Sequence, residues 1–169
     1  VCTHLGCIPI ENKGNFSALV PTRKNIITRA LNYIITSHAW DDYFPDINVA
    51  ICGKGTEKDQ LQIQINEVQL QNNIILLDEI PHTEVLVLMQ RSKIFLHTSL
   101  YEGFGTVCAE ALYGGAHVLS FCKPMHSEIR HWHIVNKEDE MFVKIRELLQ
   151  NPGLEHEPVL AFSADEISK

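Results

Sequence analysis

Ile94-Phe95-Leu96-His97-Thr98-Ser99-Leu100-Tyr101-Glu102-Gly103-Phe104-Gly105-Thr106-Val107-Cys108-Ala109-Glu110-Ala111-Leu112-Tyr113-Gly114-Gly115 is the stretch that decides the fold. Its first six residues pass from apolar to polar, as a strand running out into a loop does. Thr106 to Tyr113 has Thr at its start and Gly-Gly at its end, the punctuation of a short helix. A Gly-Phe-Gly turn directly follows Glu102, and a second carboxylate, Glu110, stands eight positions further on. Strand, glycine turn and helix N-terminus together make an anion site, because unpaired backbone N–H groups point outward there with the helix dipole behind them. Such a turn suits a phosphorylated ligand.

Working outward, short apolar runs alternate with helical stripes. Phe16 to Val20 is a brief apolar run ended by Pro21. Ile26, Ile27, Ala30, Leu31, Ile34 and Ile35 then fall at helical spacing. Ile47 to Cys52 reads as a buried strand closed by Gly53-Lys54-Gly55, and Glu57 to Val68 as a helix with Leu61, Ile65 and Val68 inward. Ile74 to Leu77 is a further strand, and Thr83 is expected to cap a helix over Glu84 to Arg91. After the glycine turn come a strand at His117–Phe121, a short helix following Ser127, and a helix from Glu140 to Gln150 stopped by Asn151-Pro152-Gly153. This alternation predicts an α/β fold, a Rossmann-like doubly wound parallel sheet flanked by helices, with ligands beyond the carboxyl ends of the strands. Residues 1–15 are expected to be a linker or edge segment, 16–157 one domain, and 158–169 a tail that starts a returning helix.

At 169 residues, 45% of them hydrophobic, the chain fits one packed domain. A net charge of -7 argues against a nucleic-acid surface. No apolar run reaches the roughly 18–20 residues of a membrane span. The chain starts at Val1, as a piece of a longer protein would. Cys2, Cys7, Cys52, Cys108 and Cys122 show no Cys-x-x-Cys spacing, so reduced thiols in a cytoplasmic protein are expected rather than a disulfide framework or zinc site.

Gly53-Lys54-Gly55 follows a strand and precedes a helix, but Lys58 stands where the dinucleotide fingerprint needs its third glycine. It reads either as a simple turn or as a ligand loop. Neither a P-loop nor a Gly-x-Ser-x-Gly elbow occurs. His126, His131 and His133 are read as surface or loop histidines rather than metal ligands, since a helix would turn i and i+2 to different faces. Thr22-Arg23-Lys24-Asn25 is either a solvated turn or a pair of cations for a diphosphate.

Taken together, the Arg/Lys loop, Gly53-Lys54-Gly55, Asn73-Ile74-Ile75-Leu76-Leu77, His97 to Gly105, Glu110-Ala111-Leu112-Tyr113-Gly114-Gly115 and Ser127-Glu128-Ile129 resemble the C-terminal, nucleotide-sugar-binding domain of the family-four retaining glycosyltransferases. The resemblance runs from about Phe16 to Gln150 and implies one half of a GT-B fold. It implies that Glu102 lies by the donor sugar and that Lys24, with Arg23, stabilises charge on the departing diphosphate. Backbone N–H groups of Phe104, Gly105 and Thr106 would hold that diphosphate. Glu110 would accept hydrogen bonds from the ribose hydroxyls, and Gly53 and Gly55 would admit the nucleotide to the backbone. The implied donor is a nucleoside-diphosphate sugar, with no metal ion and no further cofactor. The acceptor, a glycan or lipid-linked sugar, would come through an N-terminal domain outside these residues, with membrane contact only through the full-length protein and no nucleic-acid partner.

Three departures from the family pattern stand out. Ser17-Ala18 occupy the place of the usual Gly-Arg, Lys123-Pro124-Met125-His126-Ser127 replaces a glycine-rich loop before Glu128, and the acceptor half is not in this sequence. The isolated residues are therefore expected to bind a nucleotide sugar weakly and transfer little. Two other readings remain: a degenerate non-catalytic nucleotide-sugar-binding or assembly module, supported by Ala18, and another enzyme of the same fold, such as an epimerase or phosphorylase.

Overall fold

A computed structural model describes residues 10–12 (by backbone alone), 47–53, 58–98, 105–122 and 128–161. In chain order these form β1 (Ile10–Asn12), β2 (Ile47–Cys52), α1 (Lys58–Glu67), β3 (Ile74–Leu77), α2 (His82–Arg91), β4 (Ile94–His97), α3 (Thr106–Tyr113), β5 (His117–Ser120), β6 (Trp132–Ile134) and α4 (Glu138–Gln150). The expected strand at Phe16 and the helix after Asn25 lie outside the described residues.

Two three-stranded sheets result, in the orders β1-β2-β3 and β4-β5-β6. β2 runs parallel to β3, with Val49 opposite Ile74, and β4, β5 and β6 are mutually parallel, with Phe95 opposite Val118 and Leu119 opposite His133. Only β1 is antiparallel, pairing Ile10 with Val49.

Period-two alternation sorts the strand residues onto two apolar layers. Ile47, Val49 and Ile51 of β2, Ile94 and Leu96 of β4, and Leu119 of β5 share one layer with Leu61 and Ile65 of α1 and Met141, Ile145 and Leu148 of α4. Cys52, Phe95 and Val118 face the other way, onto Met89 of α2 and Val107, Cys108, Ala111 and Leu112 of α3. Both layers draw on strands of both sheets, so β2, β4 and β5 are covered on both faces, which is why they read as nearly continuous apolar runs. Burying each such Leu, Ile or Phe contributes about 1.5–3 kcal/mol.

α4 forms where Glu138, Asp139 and Glu140 complement the positive end of its dipole. Glu140 also accepts from the backbone N–H of Asn136 at 2.8 Å and from its side-chain amide at 3.1 Å, and these bonds hold the carboxyl below its ordinary value.

α2 begins at His82, and Thr83 does not cap it. The carbonyl of Pro81 instead accepts from the N–H groups of Glu84 (2.9 Å) and Val85 (3.2 Å), since proline's fixed φ already aims the chain into the helix. A second correction concerns the segment after Ser127. Residues 128–131 lead through a turn into strand β6, with no helix there.

The surface placement expected for His131 and His133 is also corrected. His133 lies on β6 and His131 in the turn just before it, at φ 64, and both rings meet His117 of β5. The His117 ring stacks on His131 at 4.1 Å and on His133 at 5.4 Å. His117 Nε2 lies 2.9 Å from the carbonyl of Glu155, which can only accept, so Nε2 carries the hydrogen. With the ring neutral, Nδ1 then accepts from His133 Nε2 at 3.1 Å. Burial pushes His117 below its ordinary value of 6.5, against the raising effect of the Glu155 carbonyl. Burial, with the neighbouring His117, lowers His133 to about 4.

The cluster marks the amino edge of β5, where residues 151–161 return across the strand ends. Glu155 is held by Arg130 and by His131 Nε2 at 3.2 Å. His156 Nε2 donates to the carbonyl of Ser92 at 3.0 Å, and Val159 N donates to Leu112 O at 2.9 Å. Gly115, at φ +93, passes beneath His156, and a Cβ there would stand 3.2 Å from the imidazole.

Candidate functional site at the carboxyl edge

The opposite edge of the sheet gathers the predicted ligand residues that are described. β4 ends at His97, and both His97 and the following Thr98 are buried. The chain re-enters the described residues at Gly105, buried in the left-handed conformation (φ 65, ψ 38) as the residue before α3. This conformation favours glycine because a Cβ is penalised there. The Gly105 carbonyl accepts from Cys108 N at 2.9 Å and Ala109 N at 3.1 Å. Gly105 carries no side chain to cap the helix, and the N–H groups of Thr106 and Val107 stay outside its ladder. Val107, Cys108, Ala111 and Leu112 seat the helix in the core and fix the direction of those groups.

Glu110 lies one turn further along α3, with its side chain 28% exposed. His82, the first residue of α2, places Nε2 3.2 Å from each of its carboxylate oxygens. The two helices lie side by side on one face of the sheet, so their N-terminal ends open together.

At the neighbouring strand end, Gly53 adopts φ 131, and its N–H donates to Leu77 O at 3.2 Å, extending the β2–β3 ladder by one bond. Lys58, in the place of the absent third glycine, opens α1 with its ammonium 2.6 Å from Asp78 Oδ1, just past β3. Ser120, at the end of β5, is fully buried; its hydroxyl accepts from the Trp132 indole at 2.9 Å and donates to Cys122 O at 2.7 Å.

Gly53 therefore stands at the carboxyl end of β2, and Gly105, Thr106 and Glu110 follow the carboxyl end of β4. Arg23, Lys24, Gly55, Glu102 and Phe104 lie outside the described residues. So do Ser17, Ala18 and the 123–127 loop. Sequence reasoning missed His82, which is 28 positions from Glu110 and carries no motif of its own. Its only local signal is its place after a strand on the ligand side. Among the described residues, no three His, Cys, Asp or Glu side chains are arranged to hold a metal ion. No helix of the described residues is long and apolar enough to cross a membrane.

The sequence pattern of the glycosyl transferases group 1 family matches residues 28–159. The chain is 36% identical over 76 residues to the phosphatidylinositol N-acetylglucosaminyltransferase gpi3 subunit of Schizosaccharomyces pombe, covering 45% of this chain and 17% of that protein. It is 29% identical over 79 residues to the 2-deoxystreptamine N-acetyl-D-glucosaminyltransferase of Niallia circulans, covering 47% of this chain and 20% of the other. Its fold is similar to the crystal structure of the pneumococcal O-GlcNAc transferase GtfA in complex with UDP and GlcNAc, with a TM-score of 0.61 and 22% identity over 76% of this chain and 27% of that one.

Proposed function

The chain belongs to the glycosyl transferases group 1 family, and we propose that it is the donor-binding half of a retaining glycosyltransferase that takes a UDP-linked N-acetylhexosamine. The observation that carries this is the pairing of the uncapped α3 N-terminus behind Gly105 with the Glu110 carboxylate one turn along the same helix. A diphosphate needs donors and a ribose needs acceptors, and one rigid helix offers both at a fixed separation. The sugar type is drawn from the relatives, which are named as N-acetylglucosaminyltransferases.

In this reading, the N–H groups from Phe104 to Thr106 hold the diphosphate, Glu110 takes the ribose hydroxyls, and Gly53 with Gly55 admits the nucleotide to the strand ends. Glu102 lies by the sugar. The acceptor hydroxyl attacks the anomeric carbon from the face the diphosphate leaves. The bond from that carbon to the phosphate oxygen breaks, its electron pair goes to the phosphate, and the same phosphate takes the acceptor's proton. Lys24 and Arg23 offset the charge that builds there. No metal ion enters the scheme, and the reaction belongs to the cytoplasmic side. The acceptor is held by a partner domain, because one half-site leaves the donor in water and cannot enforce proximity.

The test is calorimetric titration of the 169-residue chain with UDP and UDP-GlcNAc. Glu110→Ala should weaken binding about 10- to 100-fold, the value of a hydrogen bond to a charged group. Equal affinity in the variant, or no binding at millimolar nucleotide, would favour the second reading, a non-catalytic module, which Ala18 at the usual arginine position supports. Robust transfer by these residues alone would overturn the need for a partner domain.

A further inference from the structure

Glu110 is engaged by His82 in a way that bears on how a nucleotide reaches it. Nε2 of His82 is equidistant, at 3.2 Å, from the two carboxylate oxygens, so it stands between them on the plane that bisects the carboxylate. An ionised carboxylate only accepts, so Nε2 must carry its hydrogen and share it between both oxygens. The two vicinal hydroxyls of a ribose also engage a carboxylate most favourably as a pair, one on each oxygen, approaching along that same bisecting plane. Ring and diol cannot both stand there.

The surroundings allow the ring to leave. The His82 side chain is 58% exposed. The helix behind it is held by other means: the Pro81 carbonyl bonds to Glu84 and Val85, and Met89 is buried. Rotating the imidazole therefore disturbs neither the backbone nor the core.

We propose that His82 gates the ribose site: it occupies the Glu110 carboxylate in place of the ribose diol and must swing away for a ribonucleotide to seat. This rests on the reading of Glu110 as the ribose acceptor. Binding of a ribonucleotide then exchanges one hydrogen-bonded partner of Glu110 for another, and the lost His82 contact subtracts from affinity. A nucleotide without ribose hydroxyls leaves the gate shut and feels no such subtraction.

The experiment compares UDP with 2′,3′-dideoxyuridine diphosphate on the wild-type chain, His82→Ala and Glu110→Gln, by calorimetry. His82→Ala should tighten UDP about two- to tenfold, the range of an exposed hydrogen-bonded pair, and leave the dideoxy nucleotide unchanged. Unchanged or weaker UDP binding in His82→Ala overturns the gate. If wild type binds both nucleotides equally and Glu110→Gln changes neither, the ribose reading itself has failed and the gate falls with it. Ring NMR of His82, assigned by its loss in the alanine variant, gives a second readout. Its imidazole signals should move on saturation with UDP and hold still with the dideoxy analogue; signals fixed under UDP overturn the proposal.

Discussion

At the amino edge of β5, three histidines, Arg130 and the returning segment 151–161 are tied to one another by hydrogen bonds, with His131 Nδ1 buried and unpartnered among the described residues. At the carboxyl edge, helices α2 and α3 open with no side-chain caps, and the Glu110 carboxylate meets only a half-exposed imidazole among the described residues. The first edge spends most of its polar groups internally, whereas at the second the leading N–H groups of α3 stay outside the helix ladder. Polar groups closed into a network stabilise a fold, whereas groups left to water cost the fold little and bind what arrives. Substitutions at the two edges should therefore separate stability from nucleotide affinity.

The largest effect belongs at Gly115. Gly115→Val forces a β-branched residue to φ +93 and drives its Cβ toward the His156 ring. It should cost about 2–3 kcal/mol of stability, read as a fall in the urea midpoint with UDP affinity per folded molecule intact. A matched loss of affinity would break the separation.

Next comes pH. His133, held at about 4 when folded against 6.5 ordinarily, binds its proton more readily in the unfolded chain. Its contribution is therefore complete above pH 6.5 and is lost as pH falls toward 4. After discounting for its partial exposure, the loss is on the order of 1–2 kcal/mol. His117, lowered by its own burial, acts in the same direction. His133→Gln should flatten that slope in urea titrations between pH 7 and 4.5; an unaltered slope would place the acid sensitivity elsewhere.

The smallest effect is at Glu155, whose carboxylate is exposed. Glu155→Gln should lower the Tm slightly in dilute buffer and not at high salt, where screening already removes the attraction of Arg130 and His131.

These contrasts also explain what could be read from the amino acids. Ile47–Cys52 was legible as a strand because both of its faces are covered, so burial leaves a continuous apolar run; Ile74–Leu77 was legible as an unbroken apolar run although Ile75 is exposed. β6 was not, because its three residues, Trp132, His133 and Ile134, include a histidine and are only partly buried, leaving no such run. The histidine cluster escaped because its members meet through strand register and a returning chain, across 16 and 38 positions. At the other edge, the glycine turn and Glu110 were visible because one helix carries both. His82 was invisible for the opposite reason: α2 and α3 bring it to Glu110 across 28 positions.

The returning segment has a consequence for how the chain is made. Val159 hydrogen-bonds Leu112, His156 reaches Ser92, and the Glu155 carbonyl meets His117. On a ribosome, every strand and helix described is synthesised before the piece that fastens the amino edge. Until residue 159 leaves the exit tunnel, the His117 imidazole and the Ser92 carbonyl await their partners and the nascent domain stays open to proteases. A chain cut after Asn151 should reproduce that unfinished intermediate, with helical circular dichroism retained and protease resistance lost.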